Sequence, residues 1–161
     1  MVIVDEIDTA LIAGAGRIAS WCDGSFGVDQ WFLARQSLTA GMAAIILNVV
    51  LTVAESFHDT QEVCLALAVL AASAFIFTVA WRELSRQQGS KLGAQTARIS
   101  EYRGRHLNIA FAPLLLVDFV SGIYPIYMLG YALIGIHFFF KACTPPPPKA
   151  NRFASRIHAT G

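Results

Sequence analysis

Three strongly polar side chains interrupt the long apolar stretches of this chain: Asn48, Asp118 and His137. A charged carboxylate inside a bilayer costs several kcal/mol, on the order of 3 or more, so Asp118 must be protonated, paired or in contact with water. Two interpretations follow, a carboxylate at the membrane boundary or a proton or ion site. Asn48 is either an interhelical hydrogen-bonding group or part of a transport or ligand site. His137 favours an interfacial hydrogen-bonding role over haem ligation.

Other combinations that could carry chemistry lack the context that the chemistry needs. Residues 14–19, GAGRIA, match the dinucleotide fingerprint GxGxxA, but no strand precedes them and no parallel sheet can follow. His58 and Asp59 lie in one short acidic loop, with no second cluster of metal ligands. With no nucleophile–base pair in addition, we expect no enzyme activity, no cofactor and no metal.

Composition indicates a membrane protein. Of the 161 residues, 55% are apolar and 14% are charged, against roughly 25% charged in an ordinary soluble domain. A soluble domain of this size has too much surface for its volume to bury so many apolar side chains. The net charge of +1 gives no reason to expect nucleic acid as a partner.

Two clear membrane spans are predicted in the first half of the chain, at 38–54 and 63–81. Each is an apolar run of about the length of a spanning helix, flanked by tryptophan and arginine at one end. Before them, apolar residues recur at helical spacing over 3–22, with acidic residues on another side, which predicts an amphipathic helix at the interface or against the spans.

A basic connection follows the second span, at 82–106. It is predicted as a cytoplasmic loop, because cations concentrate on that side of membranes, with a helical piece after Gly89 and Gly93. It is also a candidate site for anionic lipids or an acidic partner. Its six cations are Arg82, Arg86, Lys91, Arg98, Arg103 and Arg105.

The remaining apolar stretch, 110–140, contains its own turn signals, Ser121, Gly122 and Pro125. The tail after Phe140 is basic, so it too is expected on the cytoplasmic side. A hairpin of two limbs, at 107–120 and 123–140, returns that tail to the cytoplasm, whereas a single long span would not. The first limb is short, so a tilted or re-entrant segment remains an alternative.

The predicted fold is therefore all-α, a polytopic integral membrane protein with about four membrane helices. An N-terminal segment (1–36) precedes a transmembrane bundle (37–140) and a proline-rich basic tail (141–161). We expect both termini in the cytoplasm, with the bacterial inner membrane as the default location.

Two functions fit this organisation. The first is a small non-catalytic structural or accessory subunit of a larger membrane assembly, whose partners are other membrane proteins or copies of itself, together with anionic lipids. The alternative is a homo-oligomeric pore, holin-like, or a small ion or proton transporter that uses Asp118. Replacement of Asp118 by asparagine distinguishes them.

Overall fold

The computed structural model describes residues 2–56, 58–87, 94–122 and 125–143, without the side chains of 86–87 and 94–101. Over these ranges the chain forms five α-helices and no strand. They are α1 (Val2–Phe26), α2 (Gln30–Glu55), α3 (Thr60–Gln87), α4 (Ala94–Ser121) and α5 (Pro125–Ala142).

The helix ends have local causes. Gly27 follows α1 with a φ of 70°, a left-handed conformation that glycine adopts without strain. Asp29 caps α2, since its carboxylate accepts a 2.7 Å hydrogen bond from the backbone N–H of Phe32. Gly122, with a φ of 71°, follows α4, and Pro125 is the first residue of α5, where its missing N–H costs little.

Helices α2 and α5 form the centre of the bundle. They run antiparallel, with Gly41 against Gly130 near their midpoints and Gln30 against Cys143 at one end. A Cβ atom on Gly41 would lie 2.7 Å from the carbonyl oxygen of Gly130, so the two backbones touch. Close approach of this kind is what small residues permit between membrane helices.

Helices α3 and α4 pack beside this pair. Ser73 and Glu83 of α3 contact Tyr131 and Lys141 of α5, at one constant sequence offset, so α3 and α5 run parallel. Helix α4 runs antiparallel to α5: Gly104 lies against Phe138, and Asn108 lies against Gly135. Residues 107–121, the second half of α4, form a mainly apolar segment that we call the α4 limb.

Helix α1 contacts the bundle through small residues and one acid. Its buried residues are Asp8, Ala15, Ala19 and Cys22. Most large apolar residues of α1, but not Ile12, point away from the bundle and are exposed. This outer face of α1 comprises Ile3, Ile7, Leu11, Ile18, Trp21 and Phe26. The predicted amphipathic helix is confirmed as a helix, but of its large apolar side chains those on the outer face do not pack on the rest of the chain.

In the part of the chain that the structure describes, three helices are long and apolar enough to cross a membrane, namely α2, α3 between Thr60 and Ser85, and α5. They indicate a membrane-spanning protein, and the all-helical prediction is confirmed for the described residues. Helix α4 is not among them, because its first half is charged and only its second half is apolar.

Element boundaries differ from the predicted ones at two places. Residues 30–36, assigned to the N-terminal segment, already belong to α2. Helix α3 continues to Gln87, six residues beyond the predicted span, whereas the helical piece predicted after Gly93 is found as the beginning of α4 at Ala94. Helices that continue beyond the hydrocarbon core keep their geometry although their composition changes, so hydropathy marks the membrane boundary rather than the helix end. The tail after 143 lies outside the described residues.

Candidate functional site

A buried ion pair joins α1 to α4. The Nε atom of Arg105 donates to Oδ1 of Asp8 at 2.7 Å, and its NH2 group donates to Oδ2 at 3.2 Å. The side chains are only 10% and 8% exposed. Because the guanidinium fork meets both carboxylate oxygens, each charge is compensated in a place from which water is nearly excluded.

A second set of contacts lies beside this pair and is more exposed. Oδ1 of Asp5 accepts hydrogen bonds from the hydroxyl of Tyr102 at 3.1 Å and from Nε2 of His106 at 3.3 Å. Nδ1 of His106 donates to the backbone carbonyl of Tyr102 at 2.8 Å. A carbonyl and a carboxylate only accept, so both bonds form together only when both ring nitrogens of His106 carry protons. We call Asp5, Asp8, Tyr102, Arg105 and His106 the α1–α4 ion-pair cluster.

Hydrogen bonding in this cluster shifts two pKa values in opposite directions. The contacts from His106, and then from Tyr102, lower the pKa of the Asp5 carboxyl below its ordinary value, because they favour the charged form. The same bond raises the pKa of the Tyr102 hydroxyl, because a donor to a carboxylate releases its proton less readily. The arrangement is thus specific to an ionised Asp5.

A cavity lies at the opposite end of the bundle, where α2 ends and α3 and α5 begin. Its volume is about 430 Å³, and we call it the α2–α3–α5 cavity. Its polar lining residues are Asn48, Thr52, Glu55, Ser56, Glu62 and Tyr127. Its apolar lining residues are Val49, Leu65, Ala66, Val69 and Met128.

A chain of hydroxyl groups extends from this cavity into the bundle. The hydroxyl of Tyr127 lies 3.2 Å from that of Tyr131, which lies 3.4 Å from the Ser73 hydroxyl. Ser73 is fully buried, so this chain satisfies a polar group in the apolar interior. It also holds α3 and α5 together beside the cavity.

Of the three polar residues predicted as an intramembrane site, only Asn48 lines the α2–α3–α5 cavity. Asn48 is half-buried and lines the α2–α3–α5 cavity. Asp118 is half-buried on the α4 limb and is not part of that lining. His137 is fully buried ten residues after Tyr127 on α5, about 15 Å away along the helix.

His137 contacts neighbouring residues of its own helix. Its Nδ1 atom donates to the backbone carbonyl of Ile134. Its ring lies against that of Phe138, with the centroids 3.9 Å apart. No group of three or more metal-ligating side chains occurs within the described part of the chain.

The cations of the predicted basic site differ in their exposure. Arg82 and Arg103 are exposed, whereas Arg105 is buried and is bound to Asp8 instead of being available to a lipid. Lys91 lies outside the described residues, as do the side chains of Arg86 and Arg98.

Sequence reasoning missed the ion pair between Asp8 and Arg105, although one signal was present. Asp8, Ala15 and Cys22 are spaced by seven residues, and two helical turns return a side chain to nearly the same face. The acid on the small-residue face of α1 therefore marks the packed side. A partner 97 residues away has no local signature.

Comparison of the chain with protein-family models, with curated proteins and with solved structures finds no match.

Proposed function

We propose that this protein is a small, non-catalytic accessory subunit of a larger assembly of membrane proteins. The observation that carries the proposal is the exposure of the α4 limb. Seven of its large apolar side chains are 53–77% exposed, namely Leu107, Phe111, Leu114, Leu116, Val117, Phe119 and Val120. Successive residues of a helix are rotated by about 100°, so the exposed residues among 116–120 cover most of the circumference and leave only the side of Leu115 and Asp118 half-buried.

A helix with apolar side chains exposed over most of its circumference is normally surrounded by other helices or by lipid. The rest of the chain covers little of this segment. Fifteen residues of helix span about 22 Å, less than the roughly 30 Å of a hydrocarbon core. A short apolar limb of this kind is well suited to packing against longer helices of a partner.

Helix α3 offers a second surface for a partner. Ala68 and Ala72 are exposed and one turn apart, a spacing that lets another helix approach closely. The buried residues of α3 lie elsewhere on the helix: Ala66, Ser73, Ala80 and Leu84. The face with Ala68 and Ala72 is therefore available to a neighbouring helix.

The proposed topology has four membrane segments and cytoplasmic termini. Charge supports it, because Arg82, Arg103 and Lys141 lie at one end of the bundle, whereas both charged residues that line the cavity at the other end are acids. These acids are Glu55 and Glu62. The positive-inside rule orients the first end toward the cytoplasm, in a bacterium the inner face of the inner membrane, where Arg82 and Arg103 would contact anionic lipids.

The test is gentle extraction in a neutral detergent, followed by native mass spectrometry of the complex containing the tagged protein. The proposal predicts a fixed stoichiometric set of other membrane proteins. A pure homo-oligomer would contradict it.

A pore formed by several copies is the second candidate, and one observation favours it. Asp118 is a carboxylate on an otherwise apolar and exposed limb, so an assembled structure must supply it with water or a polar partner. Asp118→Asn is expected to abolish conductance if the pore is correct. It is expected to change only assembly or stability if the accessory subunit is correct.

A further inference from the structure

The α2–α3–α5 cavity combines two kinds of lining that ligands with one charged end require. Its volume of about 430 Å³ falls within the range of small-molecule sites, roughly 300–1,000 Å³. Side chains from α3 and α5, such as Val69 and Met128, make an apolar part, and Glu55, Glu62 and Asn48 make a polar part. Neither part alone distinguishes this cavity from an ordinary surface depression.

The electrostatics of the polar part favour a cation. Both charged residues in the lining are carboxylates. Glu55 is the last residue of α2, where the helix dipole and the final carbonyl groups already present negative charge. The N-terminus of a helix stabilises acids, and Glu62 lies in the first turn of α3. Glu55, by contrast, lies at a helix C-terminus, where a cation is preferred.

Asp59, the acid between Glu55 and Glu62 in the sequence, caps a helix instead of lining the cavity. Oδ1 of Asp59 accepts from the backbone N–H groups of Gln61 and Glu62, at 2.9 Å and 3.3 Å, and so caps α3. Asp59 does not line the cavity, whereas Glu55 does.

The uncharged polar groups present oxygen atoms. The hydroxyl of Thr52 donates its proton to the carbonyl of Asn48 at 3.0 Å, which leaves its oxygen as an acceptor. Asn48 adds an amide oxygen, and the Tyr127 hydroxyl is held by Tyr131. An ammonium group carries up to three donors and no acceptor, which complements this lining.

We propose that the α2–α3–α5 cavity binds an organic cation with an apolar tail, of the class of primary alkylammonium ions. The ammonium group is held between Glu55 and Glu62, next to the oxygen atoms of Thr52 and Asn48. The tail lies along Val69 and Met128. A zwitterion or an anion is disfavoured, because no cation lines the cavity among the described residues.

The test is isothermal titration of the full chain in dodecyl maltoside, a detergent without charge, with protein-free micelles as the blank. Hexylammonium carries both charge and tail, methylammonium only the charge, and hexanol only the tail. We expect hexylammonium to bind at least about tenfold more tightly than either of the others, because two contributions add. Equal binding of hexanol and hexylammonium would refute the proposal.

Variants locate the site. Glu55→Gln and Glu62→Gln each remove one charge from exposed positions and are expected to weaken hexylammonium binding about tenfold. Val69→Phe fills the apolar part and is expected to weaken hexylammonium without affecting methylammonium. The matched control is Glu6→Gln, the same change at an exposed position of α1, which should leave binding unchanged. An effect of Glu6→Gln as large as that of Glu55→Gln, or no effect of either cavity glutamate, would overturn the assignment.

Discussion

At the scale of single residues, the buried contact between Asp8 and Arg105 is the most consequential one. Burying a charge is costly unless its partner is present with good geometry. Here the partner is bidentate and both side chains are at most 10% exposed. The contact therefore fixes where α1 meets α4 more than it adds net stability.

Asp8→Ala is expected to lower the free energy of unfolding by about 3 kcal/mol or more, because it leaves Arg105 buried without its counter-charge. The measurement is unfolding by titration with sodium dodecyl sulfate. The double variant Asp8→Leu with Arg105→Met should recover most of the loss, since it removes both charges. Glu6→Ala, at an exposed position nearby, should change stability by less than about 0.5 kcal/mol. A single variant as stable as the parent would contradict the buried pair.

The Asp5 contacts should depend on pH. Because the folded pKa of Asp5 is lowered, its contribution is fully present above the ordinary aspartate value of 3.8 and is lost as the pH falls through the lower folded value. Tyr102 has the opposite sign: its raised pKa means that its contribution is present below the ordinary tyrosine value of 10.0 and is lost as the pH rises through the folded value.

Hydrogen exchange of the first turns of α1 measures this dependence. Protection is expected to fall at the acidic edge in the parent, whereas Asp5→Asn should begin with weaker protection and lose the acidic step. An acidic step that persists unchanged in Asp5→Asn would assign it to another group.

At the scale of helices, close packing between α2 and α5 rests on two glycines. Gly41 lies against the backbone of Gly130 and the side chain of Ile134, with no room for a methyl group. By contrast, a Cβ atom on Gly14 of α1 would meet nothing within 4 Å. The two positions thus distinguish a packing glycine from one that only lowers helix propensity.

Gly41→Ala is expected to destabilise the protein by about 1–3 kcal/mol, because a Cβ atom 2.7 Å from a carbonyl oxygen forces the helices apart. Gly14→Ala is expected to be neutral or stabilising by up to about 1 kcal/mol, from the higher helix propensity of alanine. The same detergent titration compares them. Equal effects of the two substitutions would show that α2 and α5 do not pack through Gly41.

Hydropathy and turn residues predicted the helices well. The spans at 38–54 and 63–81 lie inside α2 and α3, and the turn predicted between Ser121 and Pro125 falls where α4 ends and α5 begins. The apolar face of α1 illustrates the limit. Periodicity at Ile3, Ile7 and Leu11 indicates a helix with an apolar side. The pattern does not say whether lipid, a partner or the protein's own core covers that side.

The candidate sites were less predictable for a related reason. Asn48 was recognised as a polar residue within a span, but its cavity depends on how α2, α3 and α5 meet, which no local pattern encodes. Arg105 looked like one cation among six in a basic connection. Only the packing of α1 against α4 separates it from the exposed Arg103.

At the scale of the whole molecule, the arrangement is asymmetric in both charge and packing. One end of the bundle carries most described cations and the α1–α4 ion-pair cluster, and the other carries the acidic cavity. On one flank the α4 limb exposes large apolar side chains over most of its circumference, whereas α2 and α5 form the packed centre. This uneven coverage is the basis of the proposal that the chain is completed by other membrane proteins.

Photo-crosslinking from the α4 limb tests that central claim most directly. Benzoylphenylalanine is placed at Val120, which is 77% exposed, and crosslinks are mapped by mass spectrometry in native membranes. Placement at Phe139, which is 7% exposed, is the control for a position already covered by the chain itself. The accessory-subunit account predicts one defined crosslink from Val120 to a different membrane protein, present in stoichiometric amount, and none from Phe139. Crosslinks from Val120 only to lipid or to copies of this chain would contradict it.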